Sequence, residues 1–398
     1  MTRPRLYQAI IWVNILTLAV IFATFVYFGV DAPERATCVT RFIDFHAIWG
    51  TARIALDGQP ILAFQRDVLE QAYSACEQVN MYWLYPAPMV PLVMPFGVLP
   101  FMVAFYTFLA LSIAALALSM HPYLKGNNTA LLAFVSAPAW LPAIVIGQFT
   151  LLWCAGLLAA IWAMRADRHI VAGCFIGLLT LKPTLGLLVP VILLADRRYV
   201  TIGAAIVTTL VLHVGAIALY GFDYLTAWIE ASRTHGASLA ENLAMLDAMG
   251  SVAVLAAKLG APSDVALLAN TGVLVGAAVI LWVIWRQFGA RSDGACAALC
   301  AAIPLSTPYL WHNDAAFSAL AALFLYRAGL HKRHPGWWIV IALLWVGPGL
   351  TIWNSYTLRM DWISPPLIDP AILFLGFAVS VLLLRMPSPQ PFERQEGV

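Results

Sequence analysis

Between residues 99 and 120 the chain runs without a single charged side chain, and similar stretches recur at 201–220 and 265–285. Segments of about 17–25 such residues match the hydrocarbon core of a bilayer. That core holds no water to satisfy backbone N–H and C=O groups, so a segment crossing it satisfies them internally, and runs this long and apolar do so as helices. Composition agrees. Hydrophobic residues make up 62% of the 398, charged residues only 11%, and mean hydropathy is +0.83, whereas soluble domains carry about 25% charged residues. A soluble fold is excluded, and the fold class is an all-α polytopic membrane protein.

The crossings are expected at 7–27, 99–120, 129–146, 150–164, 170–181 paired with 185–195, 201–220, 265–285, 295–305, 315–326, 337–352 and 372–384. The run 9–30 is longer than a usual signal h-region and lacks a small-residue cleavage site, so it reads as a retained anchor. With the N-terminus inside and each segment crossing once, 14 of the 22 basic residues but only 5 of the 20 acidic ones fall on the cytoplasmic side. Every short cytoplasmic turn is basic, as the positive-inside rule requires. Both termini are thus expected inside, in a bacterial inner membrane. The segments carrying unusual polar residues fall together on the outer, periplasmic side, which favours a site at the outer membrane–water boundary. A transporter would scatter such groups near the midplane within internal repeats, and no repeat is evident.

Charge first gathers directly after the first apolar run. Arg41, Asp44, His46, Arg53 and Asp57 lie within 41–58, and Phe45, Ile48, Trp49, Ala52 and Leu56 recur at roughly helical spacing. The pattern predicts an amphipathic helix lying on the membrane surface and ended by Gly58 and Pro60. Asp44 there can serve as a general base toward a hydroxyl, or simply as a solvated residue of an interfacial helix. Asp57, before a glycine, reads as a turn residue. Tyr82, Trp83 and Tyr85 stand among Pro86, Pro88 and Pro91; they form either an ordinary aromatic belt or a groove for a sugar ring or polyprenyl chain. Gln148, in a tight turn after Gly147, can cap backbone groups or bond a sugar hydroxyl.

Lys182, before Pro183, sits inside an apolar run, where an unpaired lysine is costly. Its natural partner is an anion such as a lipid phosphate; the alternative is snorkelling to the surface. His312 and Asp314, in the polar stretch 307–314, can orient an acceptor or contact phosphate, the histidine titrating near neutrality, or can be plain solvated turn residues. Arg359 and Asp361 are phosphate contacts or a surface pair. Cys38 and Cys76 flank the first outer loop, in a compartment that permits a disulfide. The sequence contains no His/Cys/Glu metal constellation, no phosphate-cradling glycine loop and no nucleotide fingerprint. No cytoplasmic loop is long enough for a nucleotide-sugar domain, and no nucleic-acid partner is expected.

The run Asp44-Phe-His-Ala-Ile-Trp-Gly-Thr-Ala-Arg-Ile-Ala-Leu-Asp-Gly-Gln-Pro60 resembles the signature after the first helix of glycosyltransferase family 87. These are integral membrane enzymes of the GT-C type, including mycobacterial polyprenyl-phosphomannose-dependent mannosyltransferases. Tyr85-Pro-Ala-Pro-Met, Gly147-Gln-Phe, Ala172-Gly-Cys-Phe-Ile-Gly-Leu-Leu-Thr-Leu-Lys-Pro183, Met249-Gly-Ser-Val252 and Ser306-Thr-Pro-Tyr-Leu-Trp-His-Asn-Asp314 follow in the matching order. The resemblance implies one GT-C-like domain over 1–398 with about 11–12 transmembrane segments, and 31–87 as an outer-face loop of interfacial helices. It further implies transfer of a sugar, mannose or another hexose or pentose, from a polyprenyl phosphate to a hydroxyl of a lipid or glycan acceptor, without cofactor or metal. Asp44 would be the base. Lys182 would contact the donor phosphate, with Gln148, His312, Asp314, Arg359, His46, Arg41 and Tyr85 around donor and sugar. Asn313-Asp314 departs from the paired histidines of the mannosyltransferase branch, leaving sugar and acceptor open. A lipid-linked sugar transporter or flippase would use the same groove and lysine, and an inactive lipid-binding relative would retain the same residues.

Overall fold

The computed structural model describes residues 43–73, 82–356 and 364–386, and the fold is all helical. The expected first crossing, Arg41, Cys38, Cys76, Arg359 and Asp361 lie outside the described residues. In chain order the main helices are α1 (Ile43–Leu56), α2 (Arg66–Tyr73), α3 (Met89–Gly97), α4 (Phe101–Met120), α5 (Asn128–Val135) and α6 (Leu141–Ile146). Then come α7 (Thr150–Arg165), α8 (His169–Leu179), α9 (Val189–Ala195), α10 (Tyr199–Tyr220), α11 (Phe222–Glu241) and α12 (Val252–Lys258). The last are α13 (Ser263–Phe288), α14 (Asp293–Leu305), α15 (Phe317–Arg327), α16 (Trp337–Tyr356) and α17 (Pro365–Arg385).

Among the described residues, five segments are long and apolar enough to cross a membrane: Phe101–Tyr123, Asn128–Ile146, Tyr199–Tyr220, Ser263–Phe288 and Pro365–Arg385. The fourth named, α13, and α10 expose large aliphatic side chains such as Val207, Leu210, Val214, Val279 and Val283, as lipid-facing helices do. The 128–146 crossing is interrupted where Pro138 and Pro142 remove backbone donors, so α5 and α6 flank a 3-10 turn at Pro138–Trp140. The interior is built on α14, buried from Gly294 to Leu305, and on α15, buried from Phe317 to Leu325. Alanines at 295, 297, 298, 301 and 302 let neighbouring backbones approach. Gly173 and Gly177, four apart on α8, do the same toward α10: a Cβ on them would sit 2.5 Å from the Thr201 carbonyl oxygen and 2.9 Å from that of Ala205.

Helix lengths set the depth of everything that follows. The turns 165–169, 195–199 and 288–293 share one end of the bundle, which carries Arg165, Arg168, Arg197, Arg198, Arg286 and Arg291. From that basic end α8 rises only about 16 Å, α14 about 20 Å and α7 about 24 Å, while α10 rises about 33 Å and α13 about 39 Å, at 1.5 Å per residue. Short helices beside long ones leave a step at the opposite end, a recess whose floor is the level at which α7, α8 and α14 stop. The 170–181/185–195 pair is therefore not two crossings reaching the far surface. It is a hairpin of an 11-residue helix and a 7-residue helix that turns back at the 3-10 turn Pro183–Leu185, well short of the ~30 Å core thickness.

One further expectation is corrected. Helix α1 forms and ends as expected, with Gly58 at φ 78°, but it does not lie on a surface. Phe45, His46, Ala47, Ile48, Thr51, Ala52, Ile54 and Ala55 are buried, and only Arg53 and Leu56 are exposed among residues 44–56. Gly97 of α3 comes so close that a Cβ there would be 2.9 Å from the Ala52 backbone. The segment 221–264 contains the 20-residue α11 and the short α12.

Candidate functional site

The recess floor is where four separate turns meet. Asp44 stands in the first turn of α1. Gln148 follows Gly147 in the α6–α7 turn, and Gly147 has φ 74°, with its α-carbon so close to Phe45 that a Cβ would lie 2.5 Å from that residue's Cβ. Only glycine fits such a left-handed, crowded position. The turn is thereby pressed onto α1, and Gln148 Nε2 donates to Asp44 Oδ2 at 2.5 Å. The amide oxygen of Gln148 accepts from the Tyr85 hydroxyl at 2.5 Å and from the Phe149 N–H at 2.8 Å. Two donors on Oε1 fix the amide orientation, so the NH₂ must face the carboxylate.

Tyr85 is held from above. The segment before α3 is extended because its prolines forbid a helix, and α11 clamps it: Trp83 Nε1 donates to the Tyr224 hydroxyl at 2.8 Å and Trp228 Nε1 donates to the Leu84 carbonyl at 2.8 Å. The 20-residue helix overlooked in the sequence thus positions a site residue.

A second network adjoins the first. Lys182 Nζ, just past α8, forms an ion pair with Asp314 Oδ1 at 2.8 Å, and their side chains are only 15% and 5% exposed. Thr150 Oγ1 donates to the same oxygen at 2.6 Å, and Asn313 Nδ2 does so at 3.1 Å. Asn313 also donates to Thr150 at 3.1 Å. Lys182 is therefore neither snorkelling nor free: its partner in the protein is a carboxylate 132 residues away. Thr150 and Asn313 are the site residues that the sequence reading missed. Uncharged and in unremarkable contexts, they give a signal only once Gln148 and Asp314 are known to meet.

The two networks sense one another. Burial pushes the Asp44 carboxyl up to about 6, opposed by the Lys182 ammonium and the Gln148 hydrogen bond and reinforced by the negative Asp314. Burial likewise drives the Tyr85 phenol well above its ordinary range, so it is a hydrogen-bond donor at neutral pH. With both carboxylates ionised and Lys182 protonated, the cluster carries a net charge of −1.

The histidines stand outside these networks. His46 stacks on Phe101 with ring centroids 4.3 Å apart. His312 turns to α16, where Nδ1 meets Thr351 Oγ1 at 3.2 Å, and its N–H donates to the Ala248 carbonyl at 3.1 Å. Desolvation lowers each ring to about 4. Burial thus favours the neutral ring in both, against the expected near-neutral titration of His312. His312 instead anchors the loop that carries Asp314, together with the Met249–Trp311 antiparallel bridge and the Gly250 N–H to Leu310 carbonyl bond of 2.8 Å.

Fold and site thus define a polytopic helical membrane protein with an acid–amide–phenol chain beside a buried lysine–carboxylate pair. Residues 83–310 match the model of Glycosyltransferase family 87, and the chain belongs to that family. The matched span contains Tyr85, Gln148, Thr150 and Lys182; Asp44 and Asp314 lie outside it and enter the site by geometry. Two curated relatives, the alpha-(1->3)-arabinofuranosyltransferases of two Mycobacterium tuberculosis strains, are each 33% identical over 177 residues, covering 40% of this chain and 39% of theirs. The chain thus spans about two fifths of the length of the curated relatives it matches. No solved structure matches it.

Proposed function

We propose that the protein transfers a sugar from a polyprenyl-phosphate donor to an acceptor hydroxyl within the recess. The observation that carries this reading is the meeting, in one desolvated cluster, of a carboxylate poised near neutrality and a lysine able to face a phosphate. Asp44, ionised, takes the proton of the acceptor O–H. The acceptor oxygen bonds to the anomeric carbon while the bond from that carbon to the phosphate oxygen breaks, and the electron pair leaves with the phosphate. Fixed donors act most strongly where charge develops in a water-poor site, and Lys182 is the cation available for the leaving phosphate. Since Asp314 already neutralises it, donor binding must share or exchange that ion pair. Gln148 positions Asp44, and Tyr85 and Phe149 position Gln148.

The relatives' name makes arabinofuranose, a pentose, the first donor sugar to offer beside mannose. A polyprenyl chain fits a bundle whose outer helices face lipid. On this reading the basic turns are cytoplasmic, as the positive-inside rule expects, and the recess opens to the periplasm of a bacterial inner membrane.

The test is transfer from radiolabelled polyprenyl-phosphate arabinofuranose and mannose into membrane lipids and glycans, by wild type and Asp44→Asn. Asparagine keeps the shape and the Gln148 contact but cannot accept a proton. Label incorporated by wild type and lost in a normally folded variant is the expected result; undiminished transfer by Asp44→Asn refutes the base assignment.

A further inference from the structure

We propose that the basic end of the bundle, opposite the recess, holds a site for the headgroup of an anionic phospholipid. Two adjoining concavities, about 320 and 340 Å³, open between the α9–α10 and α13–α14 turns and share Asp196 and Arg286. Their walls are ordered by ion pairs. Arg198 Nε lies 2.8 Å from Asp196 Oδ2, and Arg291 reaches Asp167 Oδ2 at 2.6 Å. Gly289, at φ 59°, leaves room for the aspartate: a Cβ there would be 3.0 Å from Asp196 Oδ1. The two acids are thus engaged by Arg198 and Arg291.

Arg197 and Arg286 have no acidic partner among the described residues, and both are exposed at this rim. Arg197 adopts φ 54°, a conformation a non-glycine residue rarely takes, in the turn that begins α10. Four arginines against two aspartates leave a surplus of two positive charges around one opening. Guanidiniums bind phosphate oxygens in bidentate fashion, and basic pockets between transmembrane helices suit anionic lipid headgroups.

What selects a lipid over a free oxyanion is the surface leading away from the opening. Helices α10 and α13 both pack on the seven-residue α9, which keeps them apart and covers little of either. Tyr199 and Val200 on α10, Val283 on α13, and Leu187 and Leu194 between them are all exposed. An acyl chain laid along this trough would bury apolar surface beneath a headgroup held by Arg197 and Arg286. Glu393 and Glu396 follow α17, whose Leu384 lies against Gly294 at this same end of the bundle.

The experiment extracts the full chain from vesicles of equal phosphatidylglycerol and phosphatidylcholine and counts retained lipids by native mass spectrometry. Wild type should retain phosphatidylglycerol about tenfold over phosphatidylcholine, each arginine near a surface adding appreciable attraction. Arg197→Gln/Arg286→Gln should lose that preference with its thermal unfolding unchanged, and Arg233→Gln/Lys258→Gln, an equal loss of two charges on α11 and α12 at the other end, should keep it. The proposal is overturned if the double variant retains the lipid as wild type does. It is also overturned if inorganic phosphate alone displaces the lipid, or if selectivity emerges only in a chain ended after Met386, which would give the pocket to the protein's own carboxylates.

Discussion

Replacing Lys182 by methionine removes the ammonium but keeps most of its length, and leaves Asp314 with Thr150 and Asn313 as its donors in a setting only 5% exposed. Breaking a buried pair from one side typically costs about 3–5 kcal/mol, because the remaining charge is uncompensated. Asp314→Asn in the same background removes that charge and should recover most of the loss. The magnitude is readable as a melting shift. At about 2.1 cal/mol/K per residue, unfolding 398 residues carries roughly 0.8 kcal/mol/K, so Lys182→Met should lower Tm by about 4–6 °C. Asp314→Asn alone should cost less than the lysine change, and the double variant should melt within about 2 °C of wild type. Tryptophan-fluorescence melts of the four proteins in one detergent give the cycle. A Lys182→Met variant that melts like wild type, or a double variant in which the two losses simply add, refutes the pairing and the claim that donor phosphate must compete with Asp314.

With Asp44 as the proposed base, active only when ionised, transfer should fall about tenfold per pH unit below about 6, as expected of a single essential carboxylate. The Gln148 hydrogen bond favours the charged form, so Gln148→Leu should move that acid limb to higher pH; a limb that stays or moves down dissociates Gln148 from Asp44. Gly147→Ala should combine the left-handed backbone penalty with the clash against Phe45, costing at least about 1–2 kcal/mol. Its Tm should drop measurably and its kcat fall more than its KM rises, because the Gln148 turn must shift; unaltered kcat would show that the turn tolerates displacement.

Asp44, Gln148, Tyr85, Lys182 and Asp314 were legible in the sequence because each is a polar group out of place: a charge after a long apolar run, an amide in a two-residue turn, a lysine where lysine is costly. Their convergence was also foreshadowed, since topology alone puts the ends of successive helices on one side. The pairing of Lys182 with Asp314 was not, because a partner 132 residues away leaves no periodic trace. The burial of α1 escaped notice for a related reason. Small residues such as Ala52 are what a crowded helix needs, but nothing in their spacing marks them as packed. Helix α11 was hidden by its mixture of charge and aromatics, whose logic appears only when Tyr224 and Trp228 are seen gripping the chain before Pro86.

The shortness of α8 and α14 has an electrical consequence. With Lys182 three residues past the ~16 Å top of α8, about 20 Å above the basic end of a core ~30 Å thick, the cluster sits roughly a third of the way in from the opposite boundary. A unit charge crossing the whole membrane exchanges about 2.3 kcal/mol per 100 mV, so a proton passing between the outer water and Asp44 exchanges about 0.8 kcal/mol. With the basic end inside, an energised membrane draws protons inward to Asp44 and favours its acid form. The enzyme would then be more acid-sensitive in a respiring cell than in a detergent micelle, its base tied to the membrane voltage through the depth at which a short hairpin stops.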